Sequence, residues 1–86
     1  MIIQYAASFK GQYKKLPKKF QRQFNERLLI FLKNPSHLLL RVHPLKGKYA
    51  GYWSMNISGD LRAIYLIRKE NIIIFALIGS HSNLYG

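Results

Sequence analysis

Apolar residues in the first part of the chain recur at the spacing of a helix. Phe9, Tyr13 and Leu16 are four and three residues apart, which places them on one face of an α-helix. Ser8 stands in the position of a helix N-cap, and Pro17 interrupts the pattern. These positions predict a first helix that begins at Phe9.

A second helix is predicted over residues 18–33. Pro17 suits the first turn of this helix, because the N–H that proline lacks would have no partner there. Five apolar residues then repeat at helical spacing: Phe20, Phe24, Leu28, Phe31 and Leu32. Pro35 disfavours helical backbone at Asn34 and ends the helix. Residues 8–33 are therefore expected to form a helical hairpin.

The remaining segments have the composition and period of β-strands. Five are candidate strands: 2–6, 38–42, 51–57, 61–68 and 72–79. In 61–68 apolar residues alternate between the two faces, and 72–79 is apolar throughout, which is typical of a central strand covered on both sides. Turn signals separate the last three segments, so they are expected to form hairpins.

This order of elements predicts an α+β fold. An N-terminal strand and a helical hairpin precede a mainly antiparallel sheet of three or four further strands, and the hairpin packs on one face of that sheet. With 86 residues, the chain is expected to form a single domain over 1–86. The longest apolar run is far shorter than the roughly 20 residues that a membrane-spanning helix needs. With no signal-peptide pattern and no cysteine, we expect a cytoplasmic protein that does not associate with a membrane.

The charge of the chain indicates a polyanionic partner. Fourteen Lys and Arg residues face three acidic residues, for a net charge of +11. Six of these cations lie within thirteen residues that contain no acid: Lys10, Lys14, Lys15, Lys18, Lys19 and Arg22. A solvated helix face explains why these positions are polar but not why they are never acidic, whereas contact with a nucleic-acid backbone explains both. We therefore interpret Lys10, Lys14 and Lys18 as candidate RNA-binding residues.

A second basic group lies in a predicted loop, where Lys46 and Lys48 flank a glycine. Tyr49, Tyr52 and Trp53 follow closely. Aromatic rings among cations suit RNA, because unstacked bases can lie against the rings. Strand alternation leads us to expect one of Tyr52 and Trp53 in the core and the other accessible.

Few side chains in this chain can transfer a proton near neutral pH. His43, Asp60 and His81 each lie at the end of a predicted strand, and Arg62 follows two residues after Asp60. No His or carboxylate spacing indicates a metal site, and no cofactor is expected. These groups suit cleavage of RNA through its own 2′-hydroxyl, in which a base removes the 2′ proton, cations stabilise the transition state and an acid protonates the 5′-oxygen. The residues alone leave open which histidine is the acid and which is the base.

Three motifs resemble those of a known toxin superfamily. HPLKG (43–47), GYWSMNISGDLRAIY (51–65) and IGSHSNLYG (78–86) resemble the RelE/ParE superfamily of type II toxin–antitoxin pairs, and are most similar to its YafQ-like mRNA interferases. The first strand and the lysine-rich hairpin also fit, so the resemblance covers nearly the whole chain.

The resemblance implies a specific activity and specific partners. Such toxins cleave mRNA, usually in the ribosomal A site, so mRNA and ribosomal RNA are expected partners. An antitoxin encoded beside the toxin holds it inactive, and an acidic or amphipathic antitoxin segment is expected here. The functional positions implied by the resemblance are His43, Asp60, Arg62, His81 and Tyr85.

One position departs from the YafQ-like pattern. Asn56 stands where that branch has a further histidine, and an amide can hydrogen-bond a phosphate but cannot exchange a proton at neutral pH. We therefore expect His43 and His81 to handle protons, with Asp60 orienting one of them. Arg62, Lys46 and Lys48 would hold the phosphate, together with Asn56. Tyr85 would stack on a base or hydrogen-bond the backbone.

Two other functions compete with this interpretation. A ParE-like member of the same superfamily would inhibit DNA gyrase, but that activity needs no pair of proton-transferring histidines. An RNA-binding module without catalysis would bind RNA with an affinity that falls steeply with salt, and would yield no cleavage products.

Overall fold

Two helices follow the first strand, as their apolar periods predict. A computed structural model describes residues 1–85, so Gly86, at the end of the predicted domain and of the third motif, lies outside the described residues. Strand β1 (Ile2–Tyr5) leads into helix α1 (Ala7–Lys15) and helix α2 (Lys18–Lys33). Helix α1 begins two residues earlier than predicted.

The prediction that Ser8 caps α1 is wrong. Ala6 is the N-cap of α1 and gives it no side-chain hydrogen bond. The Ser8 hydroxyl instead donates to the Ala76 carbonyl oxygen at 2.6 Å. Ser8 thus attaches the helix to the sheet.

The sheet has five strands in the order β1-β5-β4-β3-β2. The later strands are β2 (His43–Pro44), β3 (Trp53–Ser58), β4 (Leu61–Arg68) and β5 (Ile72–Ser80), and a short helix α3 (His81–Tyr85) follows. Strand β1 runs parallel to β5, and the other three pairings are antiparallel. The predicted α+β fold, with four strands after the helices, is confirmed. Strand β5 is an inner strand between β1 and β4, but the helical hairpin covers only one of its faces, so the prediction that 72–79 is covered on both sides is wrong.

The prediction of a strand over 38–42 is also wrong. Leu38–Leu40 form a 3-10 turn, and Arg41 has a positive φ of 46°. In a strand Leu38 and Leu40 would lie on the same face, but here Leu40 is fully buried while Leu38 is 90% exposed. His37 favours the turn, because its Nδ1 accepts a hydrogen bond from the Leu39 N–H at 3.1 Å.

Both helices pack on one face of the sheet through aromatic side chains. The Phe24 ring meets the Phe75 ring edge-on at 5.4 Å, and Phe31 meets Tyr65 at 5.1 Å. Phe9 joins this cluster and is buried, as are Phe24, Phe31 and Phe75. Burial of each such side chain stabilises the fold by about 1.5–3 kcal/mol. The core therefore lies between the helical hairpin and the sheet, which leaves the opposite face of the sheet free of helices α1 and α2.

Candidate functional site

The sheet face opposite the helical hairpin carries the first elements of a site. Asn56 of β3 pairs directly with Arg62 of β4, and both side chains are half-buried. The adjacent pair, Met55 and Ala63, belongs to the core under the helices. Because successive residues of a strand point to opposite faces, Asn56 and Arg62 lie side by side on the open face.

A cleft of about 360 Å³ opens beside Arg62. Its lining comes from β2, the loop that follows it, the start of β4 and α3: His43, Leu45, Lys46, Arg62, His81 and Tyr85. Four of these side chains are basic and none carries a carboxylate. The cleft therefore favours an anion.

His43 enters the cleft from β2 with one ring nitrogen engaged. Its Nδ1 lies 3.0 Å from the Arg41 carbonyl oxygen. A carbonyl oxygen can only accept, so Nδ1 carries the proton of the neutral ring and Nε2 keeps its lone pair. The left-handed backbone of Arg41 places that carbonyl within reach. The exposed His43 ring is thus arranged to accept a proton at Nε2.

His81 and Tyr85 reach the cleft from α3, which begins directly after β5. The main-chain N–H of His81 donates to the main-chain carbonyl of Asp60 at 3.1 Å. The His81 and Tyr85 rings are 4.6 Å apart and tilted by 56°. The Tyr85 hydroxyl is buried and has no hydrogen-bond partner among residues 1–85. Tyr85 therefore presents a ring surface rather than a free hydroxyl.

The structure places the Asp60 side chain outside this cleft. Asp60 is exposed in the turn between β3 and β4 and lines a neighbouring groove of about 530 Å³ with Lys15, Phe20 and Asn83. It is the Asp60 carbonyl oxygen that accepts a hydrogen bond from His81. Asp60 thus contacts His81 through the main chains of the two residues, and this bond fixes the backbone of His81 rather than its ring.

Most of the predicted substrate-binding lysines also lie outside the cleft. Lys46 lines it, whereas Lys48 places its ammonium 5.3 Å from the centre of the Tyr49 ring. Lys10 and Lys14 line a separate groove of about 590 Å³ between the helices and β1. Lys18 is the first residue of α2 and is exposed. It lines neither the cleft nor the groove that Lys10 and Lys14 line.

Two residues of the site were not predicted. Leu45 lines the cleft from within the HPLKG motif, and an apolar side chain there gives no chemical signal of a site. The sequence indicates Tyr49 only as one of several aromatic residues among cations, yet its hydroxyl donates to the Leu84 carbonyl at 3.0 Å. Tyr49 and Leu84 are 35 positions apart, so no local pattern could indicate their contact. Tyr52 and Trp53 are both half-buried, and Trp53 packs on the core.

Residues 1–85 contain neither a cluster of metal ligands nor a membrane-spanning helix. Within residues 1–85 no three His, Cys, Asp or Glu side chains cluster in a way that could hold a metal ion. None of the helices in this part of the chain has the length and apolar character to cross a bilayer.

Solved toxin structures share this architecture. The YafQ toxin of E. coli strain BL21(DE3) superposes with a TM-score of 0.83 at 22% sequence identity, over 98% of this chain and 97% of that chain. A copper-bound mutant toxin from Helicobacter pylori gives 0.81 at 27% identity, over 99% of each chain. A chain of the E. coli DinJ–YafQ complex gives 0.79 at 23% identity, over 98% of this chain and 97% of that chain. No curated protein sequence matches the chain significantly.

The fold is thus that of the RelE-like bacterial toxins. The family model described as bacterial toxin of type II toxin–antitoxin system, YafQ, matches residues 1–86, and the chain belongs to that family. The predicted superfamily and its YafQ-like branch are confirmed.

Proposed function

We propose that this toxin is a metal-independent endoribonuclease that cleaves mRNA on the ribosome and so inhibits translation. The observation that carries the proposal is the cleft itself. Two histidines from distant parts of the chain, His43 and His81, line one small space together with Arg62 and Lys46, and no carboxylate lines it. This is the set of groups needed to move two protons around a phosphodiester.

His43 acts as the general base in the proposed reaction. Its Nδ1–H is held by the Arg41 carbonyl, so Nε2 removes the proton from the ribose 2′-hydroxyl. The 2′-oxygen then forms a bond to phosphorus. The bond between phosphorus and the 5′-oxygen breaks, and protonated His81 delivers a proton to that oxygen. The products are a 2′,3′-cyclic phosphate and a 5′-hydroxyl, with no water consumed.

Arg62 and Lys46 stabilise the negative charge that builds up on the phosphoryl oxygens. Charge-assisted hydrogen bonds are about twice as strong as neutral ones, and donors already in place cost no reorganisation during the reaction. Asn56 adds a neutral donor beside Arg62, while its amide also donates to the Gly59 carbonyl at 3.3 Å. Tyr85 supplies a ring on which a base of the mRNA stacks.

The partners of this toxin follow from its charge and from its relatives. The net charge of +11 suits mRNA and ribosomal RNA, and the basic α1–α2 surface with Lys10, Lys14 and Lys18 would contact the RNA backbone. A toxin of this fold occurs in the E. coli DinJ–YafQ complex. We propose that a cognate antitoxin inhibits the present toxin through an acidic or amphipathic segment.

The test is primer extension on an mRNA incubated with purified protein, with and without translating ribosomes. We expect codon-phased cuts that need ribosomes and that fall at least about 100-fold in His81→Ala, the usual contribution of a general acid. The control is His37→Ala, which removes a histidine that does not line the cleft and should leave the cuts unchanged.

Other outcomes would indicate the competing functions. Cuts on naked RNA as well would indicate a ribosome-independent ribonuclease. RNA binding without any cut would indicate a binding module. Growth arrest by a folded protein that neither binds nor cuts RNA would indicate a target such as DNA gyrase.

A further inference from the structure

Helix α3 carries two cleft residues but is too short to be stable alone. It has five residues, and isolated helices shorter than about 12–15 residues are marginal in water. The positions of His81 and Tyr85 therefore depend on contacts between α3 and the rest of the protein.

Hydrogen bonds at the start of α3 fix only its first turn. The His81 N–H donates to the Asp60 carbonyl at 3.1 Å, and the Asn83 N–H donates to the Ser80 hydroxyl at 3.2 Å. The end of the helix needs other partners, because the last carbonyls of a helix have none within it.

Tyr49 provides the polar contact at the end of α3. Its hydroxyl donates to the Leu84 carbonyl at 3.0 Å, and its ring meets the Tyr85 ring nearly at right angles with centroids 5.7 Å apart. The Leu84 side chain is buried beside this contact, close to Gly79. A single residue thus contacts both the backbone of α3 and one of its cleft side chains.

The loop that carries Tyr49 is held in place by a hydrogen bond and a ring contact of its own. Gly47–Tyr49 form a 3-10 turn in which the Ala50 N–H donates to the Gly47 carbonyl at 3.0 Å. The Tyr49 ring also packs edge-on against Tyr52 at 6.2 Å. Lys46, which lines the cleft, directly precedes this turn. The loop therefore supplies one cation to the cleft and sets the position of the helix on the other side.

We infer that Tyr49 is a positioning residue of the toxin. Its hydroxyl holds the end of α3 so that His81 and Tyr85 face Arg62 and Lys46 across the cleft. The effect on cleavage rests on the proposed function, whereas the attachment of α3 can be measured without it.

The test compares Tyr49→Phe with the matched control Tyr52→Phe. Each variant removes one hydroxyl from the same aromatic cluster, and the Tyr52 hydroxyl makes no hydrogen bond to the α3 backbone. In Tyr49→Phe we expect faster amide exchange within residues 81–85 and shifted imidazole NMR signals of His81. The single-turnover cleavage rate should fall about 5-fold, the effect of one ordinary hydrogen bond, at an unchanged KM for programmed ribosomes. Tyr52→Phe should match the wild type in all of these measurements.

The outcomes separate this inference from the proposed function. If His81→Ala abolishes cleavage but Tyr49→Phe has wild-type exchange and rate, the inference is wrong. It is also wrong if the exchange rises equally in Tyr49→Phe and Tyr52→Phe. If the exchange rises only in Tyr49→Phe while His81→Ala cleaves normally, Tyr49 holds α3 but the proposed nuclease mechanism fails.

Discussion

At the scale of single residues, Tyr65 shows how the core constrains an ionisable group. Its side chain is 3% exposed and packs between the rings of Phe31 and Phe75. Burial raises the pKa of the Tyr65 phenol to about 12, from 10.0. The folded state therefore keeps this proton at pH values where the unfolded chain has lost it. The resulting stabilisation is complete below about pH 10 and is lost as the pH rises from about 10 to about 12.

We predict that the free energy of unfolding falls in this range by about 1.4 kcal/mol per pH unit on account of Tyr65. Urea unfolding at about pH 9 and about pH 11.5 measures the fall. Tyr65→Phe keeps the ring but cannot ionise, so its stability should fall less, whereas Tyr52→Phe should behave like the wild type. An equal fall in Tyr65→Phe and wild type would contradict the assignment.

The sequence predicts best those site residues whose side-chain direction is fixed by a strand. His43, Arg62 and His81 lie at strand ends, and the ends of neighbouring strands meet in space, so motifs alone could suggest one site. Asp60 is the second residue of the turn between β3 and β4, where no alternation fixes the direction of a side chain, and it lines another groove. Tyr49 acts through a contact with Leu84 that only the folded chain creates.

At the scale of elements, helix α1 completes the edge of the sheet. Strand β1 pairs with β5 only as far as Phe75. Beyond that point the Ser8 hydroxyl donates to the Ala76 carbonyl, and the Ile78 N–H donates to Gln12 Oε1 at 2.9 Å. Side chains of α1 thus satisfy backbone groups that a further strand would otherwise pair, and they do so just before β5 leads into α3.

We predict that Gln12→Ala lowers the free energy of unfolding by about 1–2 kcal/mol, because the main-chain N–H of the buried Ile78 loses its acceptor. Lys15→Ala is the control. This residue is exposed on the same helix, and its removal should change stability by less than about 0.5 kcal/mol. Urea midpoints of the two variants decide the matter. Equal midpoints would show that water replaces the Gln12 oxygen without cost.

The elements that the sequence pattern predicted best are those with strong periods and clear ends. Helix α2 has the predicted bounds of 18–33, because apolar residues repeat throughout and prolines flank it. Strand β4 has the predicted bounds of 61–68. Residues 38–40 and 72–78 are uniformly apolar, so their pattern contains no information on which side faces water. For such segments only the complete fold decides between a turn, a strand with one open face and a strand covered on both faces.

At the scale of the whole molecule, the positive charge is divided between two surfaces. Lys46 and Arg62 line the cleft, whereas Lys10 and Lys14 lie on the helical side of the protein. In the proposed function the cleft performs the reaction, and the helical lysines contribute affinity for ribosomal RNA without affecting the chemical step.

This division of roles predicts how a triple substitution at Lys10, Lys14 and Lys18 to Gln would behave. If the three lysines neutralise RNA phosphates, the slope of log affinity for ribosomes against log salt should become shallower by about two to three, since each lost contact contributes about 0.7–0.9. Cleavage at saturating ribosomes should stay at the wild-type rate, because none of the three lines the cleft.

The control substitutes Lys33, Arg68 and Lys69, which are exposed, and removes the same total charge. It should lower affinity slightly at low salt with little change in slope. If both triple variants show the same slope, only net charge matters and Lys10, Lys14 and Lys18 make no specific contact with RNA. If the first variant instead loses cleavage at saturation, the helical surface takes part in placing the mRNA in the cleft.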